Sequence, residues 1–236
     1  MKLRNIIYII ILMIFIGCSN NVIDEDDLIE KASLKYLNNN DKPYTGAISS
    51  KFENGKNKII GQYKEGKRAG KWTFFYENGS KKDEGKYFDG SMVGEWISYS
   101  IDGIIVSKGE YLGNRKNGLW KYWYNNGKKE KEVQFVDDKQ SGKSITWFSN
   151  GKQKLASNYI AGKLDGEFLE WGRDGKKISE GIYKNAKKWS GFFGDDHYIE
   201  GKKGSLVRNL YKNGQKKTEG ILIDGTKNGN WVEWYA

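Results

Sequence analysis

Residues 70–93 set the pattern for most of the chain. Residues 72–76 alternate in direction around large side chains, so that Trp72 and Tyr76 fall on one side of an extended strand and Phe75 on the other. Asn78-Gly79 interrupts the run, and a second run over 82–88 ends in Tyr87-Phe88. Two strands joined through Asn-Gly predict a β-hairpin, and a two-residue turn of this kind needs positive φ at both central residues. The same Asn/Asp-Gly turn falls at 54–55, 78–79, 102–103, 126–127, 150–151 and 174–175, always 24 residues apart. A seventh, Asn213-Gly214, arrives 39 residues after the sixth, one period plus about 15 inserted residues. The fold predicted is an array of stacked hairpins, so function belongs to a repeated surface rather than to one enclosed cavity.

Three sets of columns run through the repeats. Gly61, Gly85, Gly109, Gly181 and Gly220 recur in the second strand, with Val133 and Ser157 in the middle units. A missing side chain there predicts a close approach by something else. Tyr63, Tyr87, Tyr111, Phe135, Tyr159 and Tyr183 follow in register. In the first strand, Trp72, Trp96, Trp120, Phe168 and Trp231 share a side with Phe52, Tyr76, Tyr124, Phe148, Tyr211 and Tyr235. The opposite side carries Phe75, Tyr99, Trp123, Trp147, Trp171 and Trp234, the candidate binding strip. An aromatic strip of this kind is either a structural ladder between neighbouring units or a partly open surface that grips a partner.

The spacing G-x-W-x-x-x-Y-x-x-G-x-x-x-x-x-G-x-Y-x-x-G, read from Gly70 to Gly90, resembles the bacterial variant of the MORN repeat over roughly residues 44–236. The resemblance implies an all-β protein, an elongated, twisted antiparallel sheet of consecutive 24-residue hairpins. Antitoxins of the YwqK type are built from the same repeats, and so are segments of plant phosphatidylinositol phosphate kinases. No kinase core is present in this chain.

Composition narrows the chemistry. The 236 residues include 30 glycines, one histidine (His197) and one cysteine (Cys18). An intrachain disulfide and a Cys/His zinc cluster are therefore impossible, and a Ser-His-Asp arrangement would have to use His197. His197 stands beside Asp195 and Asp196 in the inserted stretch, which reads as an enlarged unit at about 189–214 with the two aspartates in its turn. Gly61–Lys67 fits the opening of a phosphate loop, but Arg68 stands where Ser or Thr should hold magnesium. No catalytic residue, cofactor or metal is expected. The formal charge is +10, and lysines follow the turns at Lys81-Lys82, Lys128-Lys129, Lys152, Lys176-Lys177 and Lys216-Lys217. Such a ridge keeps strand edges from pairing with other molecules, and it also suits anionic lipid or an acidic protein.

The N-terminus reads as an address. Lys2 and Arg4 precede an apolar run from Ile6 to Ile16, and Phe15-Ile16-Gly17-Cys18 resembles a lipobox. Residues 1–17 are then a lipoprotein signal peptide, with Cys18 the lipidated first residue of the mature chain. Residues 18–43 form an acidic tether and a cap, within which Leu28–Tyr36 is either a short helix behind Asp27 or an edge strand. The expected protein is an exported, lipid-anchored, non-enzymatic binding or scaffold module at the cell envelope, facing the periplasm or the cell surface. Its expected partner is a protein (a toxin, an envelope protein or a host surface protein), with no role for nucleic acid. The alternatives are an antitoxin or immunity protein and an anionic-lipid-binding module.

Overall fold

The computed structural model describes residues 22–235. After a 3-10 turn at Glu25–Asp27, a small hairpin forms from β1 (Leu28–Lys31) and β2 (Leu34–Leu37). Of the two alternatives for this segment, the strand prevails. Asp24, not Asp27, is the capping residue, its carboxylate accepting from the Asp26 N–H at 3.1 Å.

The body is one antiparallel sheet. Its strands are β3 (Gly46–Lys51), β4 (Asn57–Lys64), β5 (Lys67–Phe75), β6 (Lys81–Phe88), β7 (Ser91–Tyr99), β8 (Ile105–Leu112), β9 (Arg115–Trp123), β10 (Lys129–Val136), β11 (Lys139–Trp147), β12 (Gln153–Ile160), β13 (Lys163–Trp171), β14 (Lys177–Lys184), β15 (Lys187–Phe193), β16 (Asp196–Ile199), β17 (Lys202–Leu210), β18 (Lys216–Ile223) and β19 (Thr226–Glu233). Each strand pairs with its neighbours in sequence. The order taken alone could be drawn as a ring, but among the described residues no ladder joins β19 to β3, so the sheet is open.

The turns differ from expectation at both ends of the hairpins. At the Asn-Gly end, the Gly79 N–H donates to the Tyr76 carbonyl and the Tyr76 N–H to the Ser80 carbonyl, each at 2.8 Å. Only Gly79 has positive φ, so this is a turn closed by a glycine bulge, not a two-residue turn of inverted hand. Asn78 contributes through its side chain, whose Oδ1 accepts from the Ser80 N–H at 2.9 Å. The inverted two-residue turns lie at the other end, where both residues have positive φ: Glu65-Gly66, Asp89-Gly90, Asp137-Asp138 and Asn185-Ala186. The bulge supplies an extra residue at one end, whereas a direct two-residue link must itself match the strand twist. Within 189–214, β15 and β16 meet at Gly194-Asp195, and Lys187–Gly201 makes one further, shortened hairpin. That accounts for the long last spacing.

With a single layer, the core is inlaid in one face. Trp72, Trp120 and Trp96 are 0%, 4% and 8% exposed. Each indole lies over the glycine of the preceding strand, and a Cβ added at Gly61, Gly85 or Gly109 would collide with the ring of Trp72, Trp96 or Trp120. The close approach at these glycines is therefore made by an indole. Tyrosines stand edge-on between the indoles: Tyr63–Trp72 at 5.3 Å, Tyr87–Trp96 at 5.2 Å and Tyr111–Trp120 at 5.0 Å between centroids. Edge-to-face pairs of this kind each add about 0.5–1.5 kcal/mol beyond burial. Where Val133 replaces the glycine, Ser144 stands opposite in the tryptophan slot, so bulk moves from one side of the pair to the other. The ladder stops there and resumes with Phe168, Tyr183 and Phe193.

Candidate binding faces of the sheet

The tryptophan face holds an open groove of about 400 Å³ across β5 to β9. Tyr87, Trp96, Tyr111 and Trp120 supply its aromatic walls, and Asp83, Met92, Ser98, Ser107 and Lys116 its more polar or pliant ones. Alternation places these residues on one side because they occupy equivalent positions in successive hairpins. Asp83 Oδ1 accepts from the Ser98 hydroxyl at 2.6 Å. A column of long side chains borders the ladder at 68, 92, 116, 140, 164 and 188: Arg, Met, Lys, Gln, Leu and Lys. Where the residue is cationic it lies over the aromatic ladder, Arg68 4.4 Å from the Trp72 ring, Lys116 4.3 Å from Trp120 and Lys188 5.1 Å from Phe193. Sequence reasoning passed over this column. Its 24-residue spacing was visible, but its residue types vary too much to stand out.

On the opposite side, Phe75, Tyr99, Trp123, Trp147 and Trp171 are the last residues of β5, β7, β9, β11 and β13, all half-buried. Trp234 follows β19 and is 37% exposed. The first five thus recur at alternate strand ends along one sheet margin, whereas Trp234 stands apart from Trp171, with β14 to β18 between them. Their backbone also ties units together, the carbonyls of Tyr99, Trp147 and Trp234 accepting from the hydroxyls of Tyr76, Tyr124 and Tyr211 at 2.7–2.8 Å. The Tyr99 hydroxyl donates to Glu84 Oε1 at 2.7 Å. That bond, with Lys71 at 2.9 Å and Lys81 at 3.1 Å, holds the Glu84 carboxyl down at about 2. Burial and the same carboxylate push Tyr99 up to about 12.

The lysine ridge is engaged in the array itself. Lys56, Lys128 and Lys152 donate to the carbonyl of the next turn, at Asn78, Asn150 and Asp174, over 2.8–3.0 Å. Lys81, Lys129, Lys177 and Lys216 pair with Glu84, Glu132, Glu180 and Glu219 over 2.6–3.1 Å. Exposed pairs like these contribute little individually, about 0–1 kcal/mol, but they offset much of the ridge's charge.

His197 sits on β16 opposite Phe192 and Gly204. Asp196 begins the same strand and pairs with Lys203 at 2.7 Å, while Asp195 stays in the turn. Among the described residues no three Cys, His, Asp or Glu side chains converge on a metal position. Cys18 and the predicted signal peptide lie outside the described residues.

No curated protein matches the chain. Three of its segments, residues 68–89, 116–137 and 164–185, match the model of the MORN repeat variant, each spanning the β5–β6, β9–β10 or β13–β14 hairpin of the sheet.

Proposed function

We propose that this chain is an exported, lipid-anchored scaffold or binding module of the cell envelope that presents its repeat sheet to a protein partner. One observation carries the binding reading: the tryptophan face keeps an open groove walled by aromatic side chains across β5 to β9. Aromatic walls with a few placed polar groups are the usual make-up of a recognition surface. MORN-type repeats suit such a module rather than an enzyme. Export and anchoring rest on the charged, apolar and Gly17-Cys18 segments of the sequence. The strip at Phe75, Tyr99, Trp123, Trp147, Trp171 and Trp234 is the second surface available to the same partner.

A photo-crosslinking residue placed at Ser107 in the groove, or at Trp123 on the strip, tests this in intact cells. The expected result is a discrete adduct with an envelope or extracellular protein from at least one position. Absence of any adduct from both positions, with the chain folded at its normal level, would sink the proposal. Loss of acyl labelling in Cys18→Ala checks the anchor.

A further inference from the structure

The first unit of the array already has a segment docked on its aromatic face. Ile23 pairs with the edge of β3, donating to Ala47 at 3.2 Å and accepting from Ser49 at 2.9 Å. The chain then crosses onto the tryptophan face, where Leu28, 7% exposed, joins the cluster of Ile48, Tyr63 and Trp72. Between them, Glu25 Oε1 accepts from the Tyr63 hydroxyl at 2.7 Å and lies 3.5 Å from the Arg68 guanidinium. Arg68 in turn rests on Trp72. An acidic side chain is thus held by a tyrosine hydroxyl and by a cation seated on an indole, with an apolar residue three positions on packed among the rings.

The same set recurs 48 residues later as Tyr111, Lys116 and Trp120. Lys116 Nζ stands over the Trp120 ring and donates to the Tyr122 hydroxyl at 2.9 Å. Among the described residues no carboxylate pairs with it. Lys131 adds a second cation, its pKa lowered first by burial and then by repulsion from Lys116. Glu130 acts by its charge on Lys131, and two further carboxylates lie near Tyr111. Asp83 is bound by Ser98, and Asp138 accepts from the Lys116 backbone N–H at 2.8 Å. The groove of about 400 Å³ opens beside the set. Met92, Gln140 and Leu164 replace the cation in neighbouring units, which restricts the arrangement to particular positions.

We propose that Tyr111, Lys116 and Trp120 form a docking site for an acidic peptide segment of a partner protein, its carboxylate held as Glu25 is held and its apolar residue entering the groove as Leu28 does. The proposal deepens the binding-module reading and rests on it. The carboxylate supplies the opposite charge that Lys116 lacks, and the rings supply the apolar contact.

The test uses the full chain and a fluorescein-labelled peptide with the sequence of residues 22–31, VIDEDDLIEK, read by fluorescence anisotropy at low salt. Lys116→Met should weaken binding about tenfold, and Lys116→Arg should preserve both it and the near-UV spectrum. Glu→Gln at the peptide's fourth position should weaken binding similarly, with little further loss when combined with Lys116→Met. The proposal is overturned if the peptide does not bind, if Lys116→Met binds it like the parent, or if only Arg68→Met abolishes binding. Equal dependence of phosphatidylglycerol vesicle binding on Lys116 would also overturn it, by making the site a headgroup site. A crosslinked groove partner indifferent to Lys116→Met would defeat this inference and leave the module reading standing. Peptide binding at Lys116 with no adduct in cells would do the reverse.

Discussion

Val133 and Ser144 test whether the glycine–indole pairing holds the sheet together. They face each other across β10 and β11, 1% and 3% exposed, in the slots that hold Gly85 and Trp96 in the consensus. Val133→Gly removes three buried carbons at about 0.8 kcal/mol each and adds about 0.5–1 kcal/mol for glycine in a strand, near 3 kcal/mol together. Ser144→Trp alone drives an indole onto the valine side chain, an overpacking worth about 1–3 kcal/mol. Independent effects would leave the double variant about 5 kcal/mol less stable than the parent. Complementary pairing instead predicts a double variant within about 1 kcal/mol of it, a coupling of at least about 4 kcal/mol. The introduced indole would also gain the carbonyl of Gln134, ten residues back, as Trp72, Trp96 and Trp120 donate to Gln62, Lys86 and Glu110 at 3.0–3.2 Å. Urea unfolding gives the four stabilities, and amide exchange across β10 and β11 localises them, because repeat arrays open unit by unit. A coupling below about 0.5 kcal/mol would refute the reasoning, since the two slots would then be filled independently.

The turns, the Glu84 carboxylate and the repeat boundary give three further predictions. Asn78→Ala loses the bond to the Ser80 N–H at 2.9 Å and the bridge to the Ile101 carbonyl at 3.1 Å, and should cost about 1–2 kcal/mol in urea unfolding. Asn78→Asp keeps the first bond and should cost about half as much. The Glu84 carboxyl is depressed from its ordinary 4.5 to about 2, so its stabilisation is complete above about pH 4.5 and is lost as pH falls toward 2. Thermal melts from pH 5 to 2.5 should therefore fall less steeply for Glu84→Gln than for the parent, and parallel curves would contradict the assignment. Deleting residues 70–93 joins Ala69 to Gly94, an equivalent position, and should leave a folded sheet one hairpin shorter by circular dichroism. Deleting 70–81 removes most of β5 and should damage folding severely, and equal damage from both deletions would be inconsistent with the array.

Much of this protein was determined by its sequence alone. A strict 24-residue period with two runs of alternating residues places neighbouring hairpins side by side, and a period of two along each strand assigns Trp72 and Phe75 to opposite faces. Such information is local, so the turns at Asn78-Gly79 and the column at Tyr63, Tyr87 and Tyr111 were legible without coordinates. The choice of turn geometry was not, because Asn-Gly serves either a two-residue turn or a bulged one, and pairs such as Asp137-Asp138 give no glycine signal for the inverted turn they adopt. The candidate binding surfaces were legible only in part. The strip from Phe75 to Trp171 follows from periodicity, but the groove beside Lys116 depends on how far indoles lean over their glycines and on where a cation settles on a ring. Glu25 meeting Tyr63 across 38 residues of chain belongs to the same class. Contacts of that kind arise when separate segments are brought to one face, and tertiary structure alone decides them, because side-chain packing across strands has no counterpart in the local pattern.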